Sequence, residues 1–278
     1  MESLVSTQWL AEHLGEPDLV IVDSSWHMPA TARSGREEYL RGHIPGARFF
    51  DIDAVSDASN PAPHMLPDAE QFGKAMEEIG VGRDDRIVVY DNSPLHSAAR
   101  GWFTLRHFGA RNVAILDGGL PKWMAEGRPV ESGEPEPRSA TFEAAERSGE
   151  VVTKQQILEG VGLQFLDARG KPRFEGTEPE PRPGMASGHI PGAQNIPYSA
   201  IYNEDGTYRS REELQGLFQG ARTDPQSPFV ASCGSGVTAA ALVFAAHLLG
   251  NDDARLYDGS WAEWGGDPET PKELGPAS

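Results

Sequence analysis

One cysteine, Cys233, is present in 278 residues. A lone thiol excludes an internal disulfide, a Cys-x-x-Cys redox pair and a thiolate metal cluster. Whatever Cys233 does, it does without a second thiol from its own chain. Basic residues are also scarce: 24 Lys and Arg stand against 42 Asp and Glu, a formal charge of −18. Such a chain repels a phosphate backbone or an anionic membrane surface at long range. No apolar run approaches the roughly 20 residues that cross a bilayer. The opening MESLVSTQWLAEHLG has neither the basic nor the apolar region of a secretory signal. These absences predict a soluble cytoplasmic protein with no nucleic-acid partner, no membrane partner and no metal.

What is present is a long internal repeat. RGHIPGA at 41–47 returns as SGHIPGA at 187–193, so that His43 and His189 lie 146 residues apart. LDGGLPKW at 116–123 returns as YDGSWAEW at 257–264, which puts Trp123 and Trp264 141 apart. The apolar runs LVIVD and LQFLD close on Asp23 and Asp167, 144 apart. A period this long indicates duplication of a whole domain rather than stacked small repeats.

Each copy alternates short apolar runs with stretches of helical periodicity, the pattern of an α/β layered domain with a parallel sheet. Strands are predicted near 19–22, 87–90 and 113–116, then near 163–166, 228–231 and 254–257. Helices are predicted near 68–79, 95–108, 211–219 and 238–249. The stretch ESGEPEPRSATFEAAERSGE is rich in Pro, Gly, Ser and Glu, as expected of a connection between domains. The predicted organisation is a first domain over 1–131, a linker over 132–149 and a second domain over 150–278.

The chemistry concentrates in the second copy. There PFVA leads into SCGSGVT and then AAALVFAAHLLG, placing Cys233 where a strand gives way to a helix. Gly234 and Gly236 let the backbone curl so that loop N–H groups face one point, and the helix dipole adds positive potential. A thiolate, the form that attacks sulfur, is favoured at such a turn. In the first copy the equivalent strand ends in Asp91 and continues NSPLHSAARGWF, without the two-glycine loop. Asp91 or a neighbour occupies the cysteine position, so a single reactive site is expected. His43 and His189 recur in the copy that lacks the thiol, which argues for structural work. Trp123 and Trp264 are read as core for the same reason.

The HIPGA pair, the DGG…W and DGS…W pair and the loop Cys-Gly-Ser-Gly-Val-Thr together resemble the tandem-domain rhodanese family over about residues 3–268. The loop is similar to that of its 3-mercaptopyruvate sulfurtransferase members, whereas thiosulfate-preferring members carry CRKGVT. The resemblance implies two five-stranded parallel sheets with helices on both faces, an inactive first domain, a catalytic second one and a site in the cleft between them. It implies no cofactor. In DARGKPRFEGTEPEPRPG, Arg173 and Arg182 match two substrate-binding arginines, whose planar forks suit a carboxylate beside a ketone. The loop residues Gly234, Gly236, Val237 and Thr238 complete the expected substrate-binding set. In the first domain Asp53 and His64 match an Asp and a His that, with Ser235, form a hydrogen-bonded proton path in members of this type.

The expected cycle is attack by Cys233 on the sulfur of a small-molecule donor, a persulfide intermediate, and transfer to a thiol, thioredoxin or cyanide. A thiosulfate:cyanide sulfurtransferase and a non-enzymatic sulfur-relay module are the alternatives. Cysteine phosphatase chemistry requires an arginine six residues after the nucleophile, and Ala239 stands there.

Overall fold

The computed structural model describes residues 1–277. The chain divides into two compact units. The first comprises Met1–Asp57, Leu66–Arg147 and Asn203–Tyr208; the second comprises Ala58–Met65, Ser148–Tyr202 and Arg209–Ser278.

The first unit is built on a parallel sheet of five strands, β1 (Leu4–Val5), β2 (Leu19–Asp23), β3 (Arg48–Phe49), β4 (Arg86–Tyr90) and β5 (Asn112–Leu116). They lie in the order β1-β5-β4-β2-β3. The second unit repeats the arrangement with β6 (Val151–Val152), β7 (Gln164–Asp167), β8 (Gln194–Asn195), β9 (Phe229–Ser232) and β10 (Arg255–Tyr257), ordered β6-β10-β9-β7-β8. The central strands are continuous apolar runs because helices cover a parallel sheet. In β4, Ile87, Val88, Val89 and Tyr90 are all fully buried. These longer strands and the four predicted helices form close to the expected positions, the helices at Ala69–Glu78, Ala98–His107, Arg211–Gly220 and Ala239–Leu248. The outer strands β1, β3, β6 and β8 have two residues each, too short for any periodicity.

The duplicated motifs are structural. His43 is stacked on Tyr39 and donates from Nδ1 to the Tyr39 carbonyl, 2.8 Å away. His189 is stacked on Phe174 and donates to its carbonyl at 2.9 Å. A carbonyl only accepts, so both rings carry the proton on Nδ1. Each histidine also forms an isolated antiparallel bridge with a later acidic residue, Glu131 and Glu273 respectively. The tryptophans match as closely: Trp123 Nε1 donates to the Pro129 carbonyl and Trp264 Nε1 to that of Pro271, each at 2.7 Å.

The Pro- and Glu-rich segment belongs to the first unit as far as Arg147. Phe142 is buried edge-on against Phe72, and Arg138 forms a bidentate pair with Asp85. The Ala145 and Arg147 N–H groups donate to the Phe108 and His107 carbonyls. Scattered anchors of this kind, one aromatic and a few polar groups, leave no periodic signal.

At the carboxyl ends of β2 and β4 burial pushes the Asp23 and Asp91 carboxyls up to about 6. A carboxyl raised in the folded state binds its proton more tightly there than in the unfolded chain. Its favourable contribution is therefore complete below the unfolded value near 3.8 and is lost as the pH climbs through about 6. Asp23→Asn removes one such group. Its melting temperature relative to the parent chain should rise between about pH 4 and pH 7 and level off above, by an amount equivalent to roughly 1–3 kcal/mol. Thermal melts across that range check this, and a difference that falls with pH contradicts it.

Candidate active site

Between the end of β9 and the helix Ala239–Leu248 runs the loop Cys233–Thr238, with Thr238 as the residue before the first helical turn. The helix is almost wholly buried, so its N-terminus is held rigidly behind the loop. Cys233 itself is 2% exposed. Of the two glycines only Gly236 uses conformational freedom, at φ +78, and Gly234 lies outside the left-handed region. The expectation that both glycines curl the loop is corrected accordingly. Gly234 serves close approach instead: a Cβ there would stand 3.3 Å from Arg173 Nη2.

Not all of the loop amides are free for the sulfur, contrary to expectation. The N–H groups of Cys233 and Gly236 do not serve the sulfur. They donate to Ser260 Oγ at 3.0 and 3.1 Å. Those of Gly234, Ser235, Val237 and Thr238 have no acceptor among the described residues. This partial set, backed by the helix terminus, is what the loop offers to negative charge.

Ser235 and His64 meet within the second unit. His64 Nδ1 lies 2.8 Å from Ser235 Oγ, and Arg182 Nη2 lies 3.4 Å from the same oxygen. Arginine can only donate, so the serine oxygen accepts from it, and its second lone pair can accept from a protonated His64 Nδ1. His64 is buried and holds the left-handed φ of +62, which is uncommon for a non-glycine residue. Asp53 belongs to the first unit, where its carboxylate accepts from Trp26 Nε1 at 3.0 Å.

Arg173 sits on the short helix Lys171–Glu175, with Pro172 in its first turn. Its Nε and Nη2 donate to Glu180 at 3.2 and 2.5 Å. Glu180 also accepts from Arg169 Nη1 at 2.7 Å, and its side chain is only 4% exposed. Arg169 is gripped by both oxygens of Asp167 and by the Gly188 carbonyl, and it lies over the Trp261 ring, 4.3 Å from the centroid. An alternating ladder Asp167, Arg169, Glu180, Arg173 thus runs from the end of β7 towards the Cys233 loop. Reading the sequence missed Arg169, Glu180 and Ser260. The first two look like ordinary charges in a polar loop.

The first copy shows what the site becomes without its thiol. Trp261 N–H donates to the Cys233 carbonyl at 3.0 Å, and Leu120 N–H donates to the Asp91 carbonyl at the same distance. Asp91 therefore occupies the cysteine position. Its carboxylate accepts from the N–H groups of Ser93 and Ala98, at 2.9 and 2.7 Å. This turn is filled from within by its own carboxylate.

A rhodanese-like domain model matches residues 6–126 and again 152–267. The chain belongs to the rhodanese family. It is 44% identical over 271 residues to human 3-mercaptopyruvate sulfurtransferase, covering 94% of this chain and 91% of the relative. It is 42% identical over 272 residues to rat thiosulfate sulfurtransferase, with the same two coverages. Among solved structures, the crystal structure of the 3-mercaptopyruvate sulfurtransferase SseA from Escherichia coli superposes with a TM-score of 0.85 at 41% identity, covering 94% of this chain and 99% of that one. The family's fold accounts for both five-stranded sheets and for the duplicated order of their strands.

The ladder generates a test of its own. Glu180→Gln leaves Arg169 and Arg173 sharing a neutral amide, so the Arg173 fork loses its fixed orientation beside Gly234. KM for an anionic sulfur donor should rise roughly tenfold, with a smaller fall in kcat. Stability should drop by about 3 kcal/mol, because Arg169 remains buried with one carboxylate fewer. Steady-state kinetics and urea unfolding measure the two effects, and parent-like values in both would contradict a positioning role for Glu180.

Proposed function

We propose that this chain is a 3-mercaptopyruvate sulfurtransferase that carries sulfur on Cys233 as a persulfide, releases pyruvate, and hands the sulfur to a thiophilic acceptor. The observation that carries the choice of donor is the Ser235 hydroxyl, held between His64 Nδ1 and the Arg182 guanidinium. Donor specificity is a chemical difference. Cleaving mercaptopyruvate produces a carbanion equivalent, the pyruvate enolate, which must be protonated. Cleaving thiosulfate produces sulfite, which needs no carbon protonation.

In the proposed cycle Arg173 and Arg182 hold the donor carboxylate through charge-assisted hydrogen bonds. The Cys233 thiolate attacks the donor sulfur, an S–S bond forms, and the S–C bond breaks with its electron pair going to carbon. The enolate takes a proton through Ser235, which His64 resupplies. The unpaired N–H groups of the loop face the negative charge on the outer sulfur. Gly236 supplies the turn and Val237 and Thr238 lead into the helix. Asp53 joins His64 and Ser235 in this reading on the family resemblance. A small thiol, thioredoxin or cyanide then removes the outer sulfur as the nucleophile of the second half-reaction. No organic cofactor or metal enters the cycle. No helix among the described residues is long and apolar enough to cross a membrane.

The neutral pair Gly234 and Ser235 stands where thiosulfate-preferring loops carry two cations, so the proposal favours an α-keto acid over a compact dianion. Single changes His64→Ala and Ser235→Ala should each lower kcat with mercaptopyruvate about 10- to 100-fold. The double change should cost little more than either single one, because the two groups act on one proton. With thiosulfate as donor the same variants should change little. Additive losses, or equal losses with both donors, would remove the proton path and with it the argument for mercaptopyruvate.

A further inference from the structure

Ser260 is a buried serine in a conformation that favours glycine. It is fully buried and holds φ +49. The residue at the same place in the first copy, Gly119 of the DGG motif, holds φ +56. The equivalence is fixed by the next residue in each copy, whose N–H binds the carbonyl of Asp91 or Cys233. A Cβ on Gly119 would stand 2.6 Å from the Asp91 carbonyl oxygen, too close to be accommodated. The second copy nevertheless places a side chain at this position, in a backbone region that costs an L-residue energy.

The hydroxyl gained in return has three partners. Ser260 Oγ accepts from the N–H groups of Cys233 and Gly236 and donates to the Tyr257 carbonyl at 2.8 Å. A serine hydroxyl has one proton and two lone pairs, so its capacity is filled and nothing remains for a sulfur or a substrate. The two residues that follow complete the grip. Trp261 N–H binds the Cys233 carbonyl and Ala262 N–H binds the Gly234 carbonyl, at 3.0 and 2.9 Å. Four hydrogen bonds from residues 260–262 thereby hold both edges of the loop's first half.

We infer that Ser260 is a positioning residue for sulfur transfer: its hydroxyl pins two of the loop's N–H groups, so that the remaining four stay fixed around the Cys233 sulfur as thiolate and persulfide alternate. The inference deepens the reading of Cys233 as sulfur carrier and adds a residue that never touches sulfur. It also explains the asymmetry between the copies. The first copy binds its own turn with the Asp91 carboxylate, so it needs no hydroxyl from below and keeps glycine. The second copy must leave its turn open for an exogenous anion, so a buried side chain outside the loop has to hold the loop's shape.

Two variants test this, chosen to oppose each other in backbone strain. Ser260→Gly lifts the left-handed strain and Ser260→Ala retains it, but both remove the hydroxyl. The readouts are melting temperature, kcat and KM with mercaptopyruvate, and the rate of Cys233 alkylation by iodoacetamide at one fixed pH. A purely conformational role predicts that Ser260→Gly melts no lower than the parent chain and keeps its kcat and alkylation rate. The positioning role predicts that folded Ser260→Gly loses about tenfold in kcat and in alkylation rate, while KM stays within about twofold because Arg173 and Arg182 are untouched. Ser260→Ala, where it folds, should lose activity to the same extent. A Ser260→Gly protein with parent-like alkylation and kcat overturns the inference. Alkylation needs no sulfur donor, so a slowed alkylation rate supports Ser260 even if the parent chain fails to turn over mercaptopyruvate, a result that would count against the substrate reading alone.

Discussion

The hydrogen bond from Trp261 N–H to the Cys233 carbonyl fixes the point at which β9 hands over to the helix behind it. Its twin from Leu120 to Asp91 fixes the same point in the first unit. Once the strand is stopped there, the following residues must turn sharply before a buried helix, and their N–H groups have too few partners within the protein. That deficit is the resource. One copy satisfies it with its own carboxylate, which burial pushes up to about 6. The other leaves it open beside a thiol. The same strand-to-helix handover thus ends in a turn filled by its own carboxylate in one copy and in a turn that holds a thiol beside unpartnered N–H groups in the other.

The charges around the open turn follow from the same economy of partners. Arg169, almost fully buried, has its donors taken by Asp167, Glu180 and the Gly188 carbonyl. Glu180 passes the orientation on to Arg173, whose Nη2 would stand 3.3 Å from a Cβ on Gly234. Burial of alternating charges is expensive unless each is paired on more than one side, and the ladder meets that condition. What it provides in return is a guanidinium held in a fixed orientation.

Much of this was legible in the amino-acid sequence because the signals are local. Runs such as LVIVD and RIVVY identify the central strands, and SCGSGVT before an alanine-rich helix identifies the turn that carries Cys233. The repeat itself exposed the structural role of His43 and His189, since they persist where the thiol is absent. The missed features are nonlocal or conformational. Two-residue strands such as β1 and β8 exist only through pairing with distant partners. Glu180 reads as one acid among several until Arg169 and Arg173 are seen on either side of it. Gly234 and Gly236 look alike in sequence, and only φ tells them apart. Ser260 carries a faint signal, the replacement of GG by GS between the two copies, whose meaning depends on the left-handed backbone beneath it.

All of these features converge on a sulfur carried by Cys233. Intact-protein mass spectrometry after brief incubation with mercaptopyruvate and removal of excess donor reads that state directly. The account predicts one added sulfur of about 32 Da on the parent chain, lost again on treatment with cyanide or a thiol, and none on Cys233→Ser. An unmodified parent chain that still releases pyruvate, or the same added mass on the serine variant, would contradict it.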